Sequence, residues 1–348
     1  MVEAMVEGIE AEPVTSWFLD HIPGVKAPLA FSLITGGHSN LTYRVEDAAG
    51  RAFVLRRPPL GAVIATAHDM AREHRIIAAL AETPVPVPPA LGLCEDEAVN
   101  GAPFYVMAYV EGEVLAEASQ VEARFDREAR AGIGESVVRV LADLHAVDPD
   151  AVGLGDLGRK EAYLARQIRR WRTQWEKTKT RELPAMDEVA EALESAMPEQ
   201  KGASIVHGDY RLGNMITAAD ARIAAVLDWE LCTLGDPLAD VGYLMNNWAQ
   251  VDDGPSVTGG GAMMPTRCEG FPGRAEMLDR YAELTGRDLS QVDYYRAFQS
   301  WRLAAIVEGV LSRYLKGVMG KPADTAAFKA QIDGLADEAV RLVRRMNA

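Results

Sequence analysis

Two short apolar segments with polar side chains at their ends constrain this chain more than any other part of its sequence. The first, 204–206, runs into a His-Gly-Asp triplet that ends at Asp209, and Asn214 follows five residues later. The second, 224–227, is followed directly by Asp228. Two antiparallel strands joined by a tight connection bring their loop ends together. The pattern therefore predicts two carboxylates and one amide around a single small volume.

Oxygen-bearing side chains of this kind are suited to a magnesium ion beside phosphate groups. Mg²⁺ prefers hard oxygen ligands and takes few of them from the protein. Phosphoryl transfer asks for little covalent chemistry, so its catalysis depends on positioning and electrostatic stabilisation. A plain turn would also explain the triplet, and a helix cap would explain Asp228. Three such groups in this order and spacing favour a catalytic centre.

The first third of the chain predicts a small sheet. Between 26 and 110, short apolar or alternating segments predict five strands, at 30–34, 41–45, 52–55, 90–93 and 104–109. An apolar stripe over 67–81 predicts one helix between the third and fourth strands, and Glu73 lies on that stripe. Because buried carboxylates usually have a partner, we expect Glu73 to be paired.

The rest of the chain is mainly helical in its pattern. We predict helices at 121–145, 159–178, 187–197, 274–286, 291–316 and 325–346, and a long surface loop over the Gly- and Pro-rich residues 251–273. The expected fold class is α+β. It comprises a helical segment 1–25, a five-stranded antiparallel lobe 26–110 with one helix, and a larger mainly helical lobe 111–348.

Composition argues against several classes of partner and site. A net charge of −15 disfavours binding to nucleic acid or to an anionic membrane, because both need a positive footprint. The three cysteines are far apart and form no CxxC pair, so a disulfide framework or a structural zinc site is not expected. No long apolar run predicts a membrane span, and the acidic first residues do not resemble a signal peptide. We therefore expect a cytoplasmic protein.

The spacing His-Gly-Asp-x-x-x-x-Asn, followed by an aspartate after the next strand, resembles the aminoglycoside phosphotransferase and choline kinase families. These families share the two-lobe protein-kinase fold. The resemblance implies a kinase in which Asp209 orients the acceptor hydroxyl and accepts its proton. It implies that Asn214 and Asp228 hold Mg²⁺ against ATP or GTP. Arg211 would lie near the transferring phosphoryl group.

The same resemblance assigns nucleotide-binding residues to the first lobe. A loop of small residues would bring backbone N–H groups to the phosphates; its residues are Gly36, Gly37, Ser39 and Asn40. The segment 105–112 resembles the hinge between kinase lobes. An adenine base would contact apolar side chains and backbone groups there, at Met107, Ala108, Tyr109 and Val110.

One position departs from the kinase pattern. Kinases place a lysine on the third strand to hold the α and β phosphates, and this chain has Arg56 there. Arginine can grip phosphate with two parallel hydrogen bonds but is not equivalent to lysine. Glu73 is its natural partner. The alternative is an arginine on the lobe surface and a glutamate paired elsewhere.

Two further motifs have simpler interpretations. The segment 235–242 resembles the Gly-Asp-Pro-x-x-Asp run of these families, and its Asp240 is expected to bond back to the catalytic loop. The Gly-x-Gly-x-x-Gly run at 153–158 has no strand before it, so we interpret it as a loop and not as a dinucleotide fingerprint.

The sequence leaves the acceptor open. Together with the catalytic loop, the segments Val54–Pro59 and Gln167–Trp175 resemble the branch related to the kinase domain fused to acyl-CoA dehydrogenases. That resemblance implies a hydroxy acid or its CoA ester, bound in part by the loop 251–273.

The basic helix 159–178 could be an anion-binding surface or only a solvated face. An aminoglycoside or amino-alcohol kinase is also compatible with the sequence, and so is a non-catalytic nucleotide-binding pseudokinase. The protein could be a monomer or a homodimer.

Overall fold

The computed structural model describes residues 6–34, 40–60, 69–253, 264–317 and 324–346. Gly36, Gly37 and Ser39 of the predicted phosphate loop lie outside the described residues, as does much of the predicted loop 251–273. The chain forms two compact units. The first runs to Gly112 and also contains 224–230, and the second contains 113–223 and 231–348.

An antiparallel five-stranded sheet forms the first unit, as predicted. Its strands are β1 (Ala30–Leu33), β2 (Leu41–Glu46), β3 (Ala52–Arg57), β4 (Ala90–Cys94) and β5 (Phe104–Ala108), in the order β1-β2-β3-β5-β4. The register pairs Arg56 on β3 with Thr42 on β2 and with Tyr105 on β5. Because paired residues project to the same face, this alignment decides which side chains surround Arg56.

Three helices accompany that sheet: α1 (Ala11–His21), α2 (Met70–Leu80) and the short α3 (Glu97–Asn100). The Asp69 carboxylate begins α2 by accepting the backbone N–H of Arg72 at 2.9 Å. Glu73 and Ile77 are among the residues that α2 buries, as the apolar stripe predicted. The short helix α3 was not predicted, because four residues carry no period.

The second unit is mainly helical. Its helices are α4 (Ala118–Arg124), α5 (Arg127–Ala146), α6 (Tyr163–Thr178), α7 (Pro184–Ser195), α8 (Leu238–Asn246), α9 (Arg274–Thr285), α10 (Val292–Leu315) and α11 (Thr325–Met346). The single helix predicted at 121–145 is wrong. Phe125 is extended, and the Asp126 carboxylate starts a new helix by accepting the Ala129 N–H at 2.9 Å.

Within 204–230, where the sequence predicts two strands, there are three: β6 (Ser204–Val206), β7 (Met215–Thr217) and β8 (Ile223–Val226); β9 (Thr233–Gly235) follows. The predicted pairing of 204–206 with 224–227 is wrong, because β8 pairs with β7. β6 pairs antiparallel with β9, with Ile205 opposite Leu234. The residues 224–230 lie after the predicted lobe boundary yet group with the first unit. One reason is a backbone hydrogen bond of 2.8 Å from Val226 N–H to the carbonyl of Pro86.

Helix α10 is the centre of the second unit's core, because it contacts α6, α7, α8 and α11. Phe298, Trp301 and Leu311 are buried along it, and so are polar residues, Arg302 among them. A helix that is buried on all sides belongs to the interior of a large unit. Among the described residues, no helix has both the length and the apolar character needed to cross a membrane.

Candidate active site

The triplet after β6 is fixed by a buried aspartate on α8. Asp240 accepts the backbone N–H groups of His207 at 2.7 Å and of Gly208 at 2.8 Å, one on each carboxylate oxygen. Gly208 has a φ of +85°, and a Cβ there would lie 2.9 Å from the carbonyl oxygen of Leu231. Only glycine suits that backbone and that space. These contacts therefore fix the two residues that directly precede Asp209.

The Asp209 carboxylate is oriented by the residues that follow it. The Asn214 side-chain amide donates to the Asp209 backbone carbonyl at 2.9 Å and to its Oδ2 at 2.6 Å. Arg211 Nε lies 3.4 Å from Asp209 Oδ1. A short 3₁₀ turn, Leu212–Asn214, closes the loop. The structure thus brings three of the predicted residues together and leaves the Asp209 side chain 21% exposed.

Arg56 is buried in the first unit and lies between carboxylates. Its Nε is 3.1 Å from Glu73 Oε2, and its Nη2 donates to Asp228 Oδ1 at 2.5 Å. Glu230 Oε2 lies 4.0 Å from the same Nη2. The ion pair that the sequence suggested is present, and the alternative of an arginine on the lobe surface is wrong.

Glu73 has two further partners that the sequence did not reveal. The Asn40 amide donates to Oε1 at 2.9 Å, and the Tyr105 hydroxyl donates to Oε2 at 3.1 Å. Burial raises the pKa of Glu73 to about 7, while Arg56 acts to lower that pKa. Tyr105 stands opposite Arg56 in the sheet register, so a correct strand pairing would have found it.

Asp228 has an unusual backbone conformation directly after β8. Its φ is +66°, in the left-handed region that a non-glycine residue adopts at a cost of about 1–2 kcal/mol. The side chain is 27% exposed, so one oxygen can bind Arg56 while the carboxylate still reaches solvent. Strained backbone of this kind is found preferentially at ligand and switch sites.

Comparisons with known proteins decide the family. The sequence pattern of the phosphotransferase enzyme family (APH) matches residues 30–295. The chain belongs to this family. It is 37% identical over 292 residues to mouse acyl-CoA dehydrogenase family member 10; the match covers 83% of this chain and 27% of that protein's length. The rat acyl-CoA dehydrogenase family member 11 is 32% identical, with 93% of this chain and 42% of that protein covered. The chain thus spans well under half the length of these relatives.

Solved structures agree with the family assignment. A provisionally named aminoglycoside phosphotransferase from Ralstonia eutropha has a TM-score of 0.81 at 34% identity, with 97% of this chain and 98% of that chain covered. A mutant of aminoglycoside phosphotransferase APH(4)-Ia, in complex with AMP-PNP and hygromycin B, shares the fold with a TM-score of 0.60 at 16% identity, covering 95% of this chain and 98% of that chain. The predicted kinase-like fold is confirmed, as is the predicted class, a phosphotransferase acting on an alcohol group.

In this phosphotransferase, α8 contributes a second residue beside the catalytic loop. Tyr243 lies one turn after Asp240, and burial together with the charge of Asp209 raises the pKa of Tyr243. Tyr243 was not predicted from the sequence. Its spacing of three residues from Asp240, on the same helix face, is the signal that could have found it.

A buried histidine, His145, contacts the Asp240 carboxylate. His145 Nε2 lies 3.4 Å from Asp240 Oδ2, and its Nδ1 lies 2.7 Å from the Tyr281 hydroxyl. Burial lowers the pKa of His145, so the ring is neutral near pH 7 and carries one N–H. The assignment that satisfies both contacts has Nε2–H donating to Asp240 and Tyr281 donating to Nδ1.

The predicted hinge residues lie at and after the end of β5. Met107 is buried, while Ala108, Tyr109 and Val110 are half-buried. The Ala108 N–H donates to the carbonyl of Pro89 at 2.9 Å. The Arg44 guanidinium lies 5.2 Å from the centre of the Tyr109 ring. The role of these four positions in binding a base stays a prediction.

Proposed function

We propose that this phosphotransferase is a Mg²⁺-dependent kinase that transfers the γ-phosphoryl group of ATP to a hydroxyl group of a small metabolite. The observation that carries the proposal is the Asp209 carboxylate, which Asn214 and Arg211 orient at the end of a loop anchored by Asp240. A general base must be held in place and remain accessible, and Asp209 meets both conditions.

Asp209 would accept a hydrogen bond from the acceptor hydroxyl and turn its oxygen toward the γ-phosphorus. Positioning of this kind supplies a large part of the rate in phosphoryl transfer. The proton would pass to Asp209 late, when the bond to phosphorus has largely formed. The Arg211 guanidinium would stabilise negative charge on the transferring group.

The nucleotide phosphates would be held by Arg56. Its guanidinium contacts Glu73 and Asp228 in the structure. Phosphate oxygens could replace the carboxylate of Asp228, since arginine binds both groups with the same planar geometry. Glu73 would keep Arg56 in position during the exchange.

The residues present suit Mg²⁺. Asp228 offers a carboxylate, and Asn214 offers its carbonyl oxygen, because its amide nitrogen is already used on Asp209. In the described part of the chain no cluster of three or more His, Cys, Asp or Glu side chains could hold a metal. A pair of protein oxygens, completed by phosphates and water, is the set that Mg²⁺ takes in kinases. The chemistry that bound Mg²⁺ supplies is neutralisation of phosphate charge.

The acceptor class that we favour is a hydroxy acid or its CoA ester. The names of the two mammalian relatives, which are acyl-CoA dehydrogenase family members, support an acyl substrate. Basic side chains support an anionic one: Arg169 and Arg170 are exposed on α6, and Arg211 lies beside Asp209.

An acceptor screen tests this proposal. Purified protein is incubated with Mg²⁺, γ-labelled ATP and one class of acceptor in each reaction. The classes are hydroxy acids, hydroxyacyl-CoA esters, amino alcohols and aminoglycosides. We expect label transfer to hydroxy acids or their CoA esters, and none from the Asp209→Asn variant. Transfer to an amino alcohol or aminoglycoside alone would overturn the acceptor class. ATP binding without transfer to any of these compounds or to water would indicate a pseudokinase.

A further inference from the structure

Both backbone polar groups of Gly208, the residue before Asp209, are held by buried side chains. Asp240 accepts the N–H of Gly208, and the Arg302 guanidinium donates to the carbonyl oxygen of the same residue. Arg302 uses two nitrogens for this contact, Nη1 at 3.2 Å and Nη2 at 3.3 Å. Asp209 is the next residue, so any rotation of the Gly208 carbonyl would also turn the Asp209 backbone.

Arg302 is itself fixed by buried neutral groups. Its Nη1 donates to Gln299 Oε1 at 2.8 Å, and the Gln299 amide donates to the carbonyl of Ala239 at 2.8 Å. Ala239 directly precedes Asp240, so Gln299 joins α10 to the helix that holds the other side of the loop. The guanidinium also lies 5.7 Å from the centre of the Trp171 ring.

A buried cation with such partners is costly to fold. Arg302 is only 7% exposed, and the groups that it donates to, the Gly208 carbonyl and the Gln299 side-chain oxygen, are both neutral. Its Nε has no hydrogen-bond partner among the described residues. Removing a charge from water without a paired charge destabilises the folded state. An apolar side chain would fill the space at lower cost, so a stability role does not explain an arginine here.

We propose that Arg302 is a positioning residue for the phosphoryl transfer, acting through the Gly208 carbonyl on the orientation of Asp209. This inference rests on the proposed role of Asp209. A fixed guanidinium grips one carbonyl with two donors, which lysine cannot do. Displacement of a catalytic group by about 1 Å can cost about 100-fold in rate, which gives the expected scale.

The test is a double-mutant cycle between Arg302→Met and Asp209→Asn, with Mg²⁺-ATP as donor and water or the identified compound as acceptor. We expect Arg302→Met to lower kcat about 10- to 100-fold, with the KM for ATP within about twofold of wild type. In the Asp209→Asn background the same substitution should change kcat by less than about twofold, because residues that act as one unit are not additive.

The matched control is Arg296→Met on the same helix. Arg296 is also largely buried, but it pairs with Asp293 and Glu338, away from the catalytic loop. The Arg296→Met substitution should lower the melting temperature and leave kcat unchanged. Arg302→Lys serves if the methionine variant does not fold, and it should show an intermediate loss of kcat.

The outcomes separate the two proposals. If Asp209→Asn keeps wild-type turnover, the proposed function fails. If Asp209→Asn loses turnover but Arg302→Met and Arg302→Lys keep it, only the positioning inference fails. The inference also fails if Arg302→Met lowers kcat by the same factor in both backgrounds, because that result describes a general loss of structure.

Discussion

Two buried arginines, one in each unit, have opposite surroundings. Arg56 in the first unit lies among the carboxylates of Glu73 and Asp228, whereas Arg302 in the second contacts a carbonyl, an amide and an aromatic ring. Phosphate oxygens can replace a carboxylate as the partner of the Arg56 guanidinium. The Gly208 carbonyl is part of the backbone, so it stays beside Arg302. The difference indicates that Arg56 is arranged to change partners, while Arg302 is arranged to keep one carbonyl in place.

Among the substitutions that test this comparison, the largest expected effect is at Asp228, which pairs with Arg56 and is the proposed metal ligand. Asp228→Ala should lower kcat about 1,000-fold, because loss of a metal ligand removes several kcal/mol of charge stabilisation. It should also abolish the Mg²⁺ dependence of nucleotide binding, measured by titration calorimetry with AMP-PNP. Asp220→Ala, an exposed aspartate that pairs with Arg222, is the control. Unchanged affinity for AMP-PNP in Mg²⁺ would count against the metal role.

Substitution of Arg56 should change the KM for ATP, whereas substitution of Arg302 should change kcat. Arg56→Met should raise the KM for ATP about 10- to 100-fold, the range expected for a lost charge-assisted hydrogen bond. Arg302→Met should leave that KM unchanged. Arg51→Met in the same unit, whose exposed guanidinium donates to the Pro23 carbonyl, is the control. Steady-state kinetics would contradict the comparison if both arginines changed the same parameter.

A smaller effect is expected from the hydroxyl that supports Glu73. Tyr105→Phe removes one donor from a buried carboxylate and should raise the KM for ATP about 2- to 10-fold. Tyr43→Phe is the matched control, because its buried hydroxyl donates to the Glu7 carbonyl in the same unit. An unchanged KM in Tyr105→Phe would show that the Tyr105 hydroxyl is not needed to hold Glu73 and Arg56 in position.

The smallest expected effect is on the pH dependence of the free energy of unfolding. It distinguishes the two arginines because Arg56 pairs with carboxylates and Arg302 with neutral groups. The pKa of Glu73 is raised from 4.5 to about 7 by burial. The folded protein therefore holds a proton that the unfolded chain has lost, and Glu73 lowers the free energy of unfolding as pH rises from about 4.5 to 7. Glu73→Gln should remove this part of the slope in urea unfolding, and Arg302→Met should not. Identical slopes in wild type and Glu73→Gln would contradict this assignment.

Much of the fold follows from local patterns. The five strands and α2 could be predicted because alternation and a 3.6-residue stripe are local signals. The helix predicted at 121–145 failed because Phe125 and Asp126 form a break that apolar periodicity does not record. The contact between Asp209 and Asn214 could be predicted because the two residues are only five positions apart in one short loop.

The supporting contacts could not be predicted in the same way. Tyr105 meets Glu73 across 32 residues, and Arg302 meets Gly208 across 94. Such contacts depend on strand register and helix packing. Since α10 is buried on all sides, its pattern gave no sign that Arg302 points inward.

Whether Asp209 orients the acceptor is decided by the Asp209→Asn variant. The amide keeps the size of the side chain but cannot accept a proton. The measurement pairs turnover of Mg²⁺-ATP with calorimetric binding of AMP-PNP. We expect kcat to fall about 100- to 10,000-fold, while AMP-PNP affinity changes by less than about threefold. Wild-type turnover in Asp209→Asn would contradict the account.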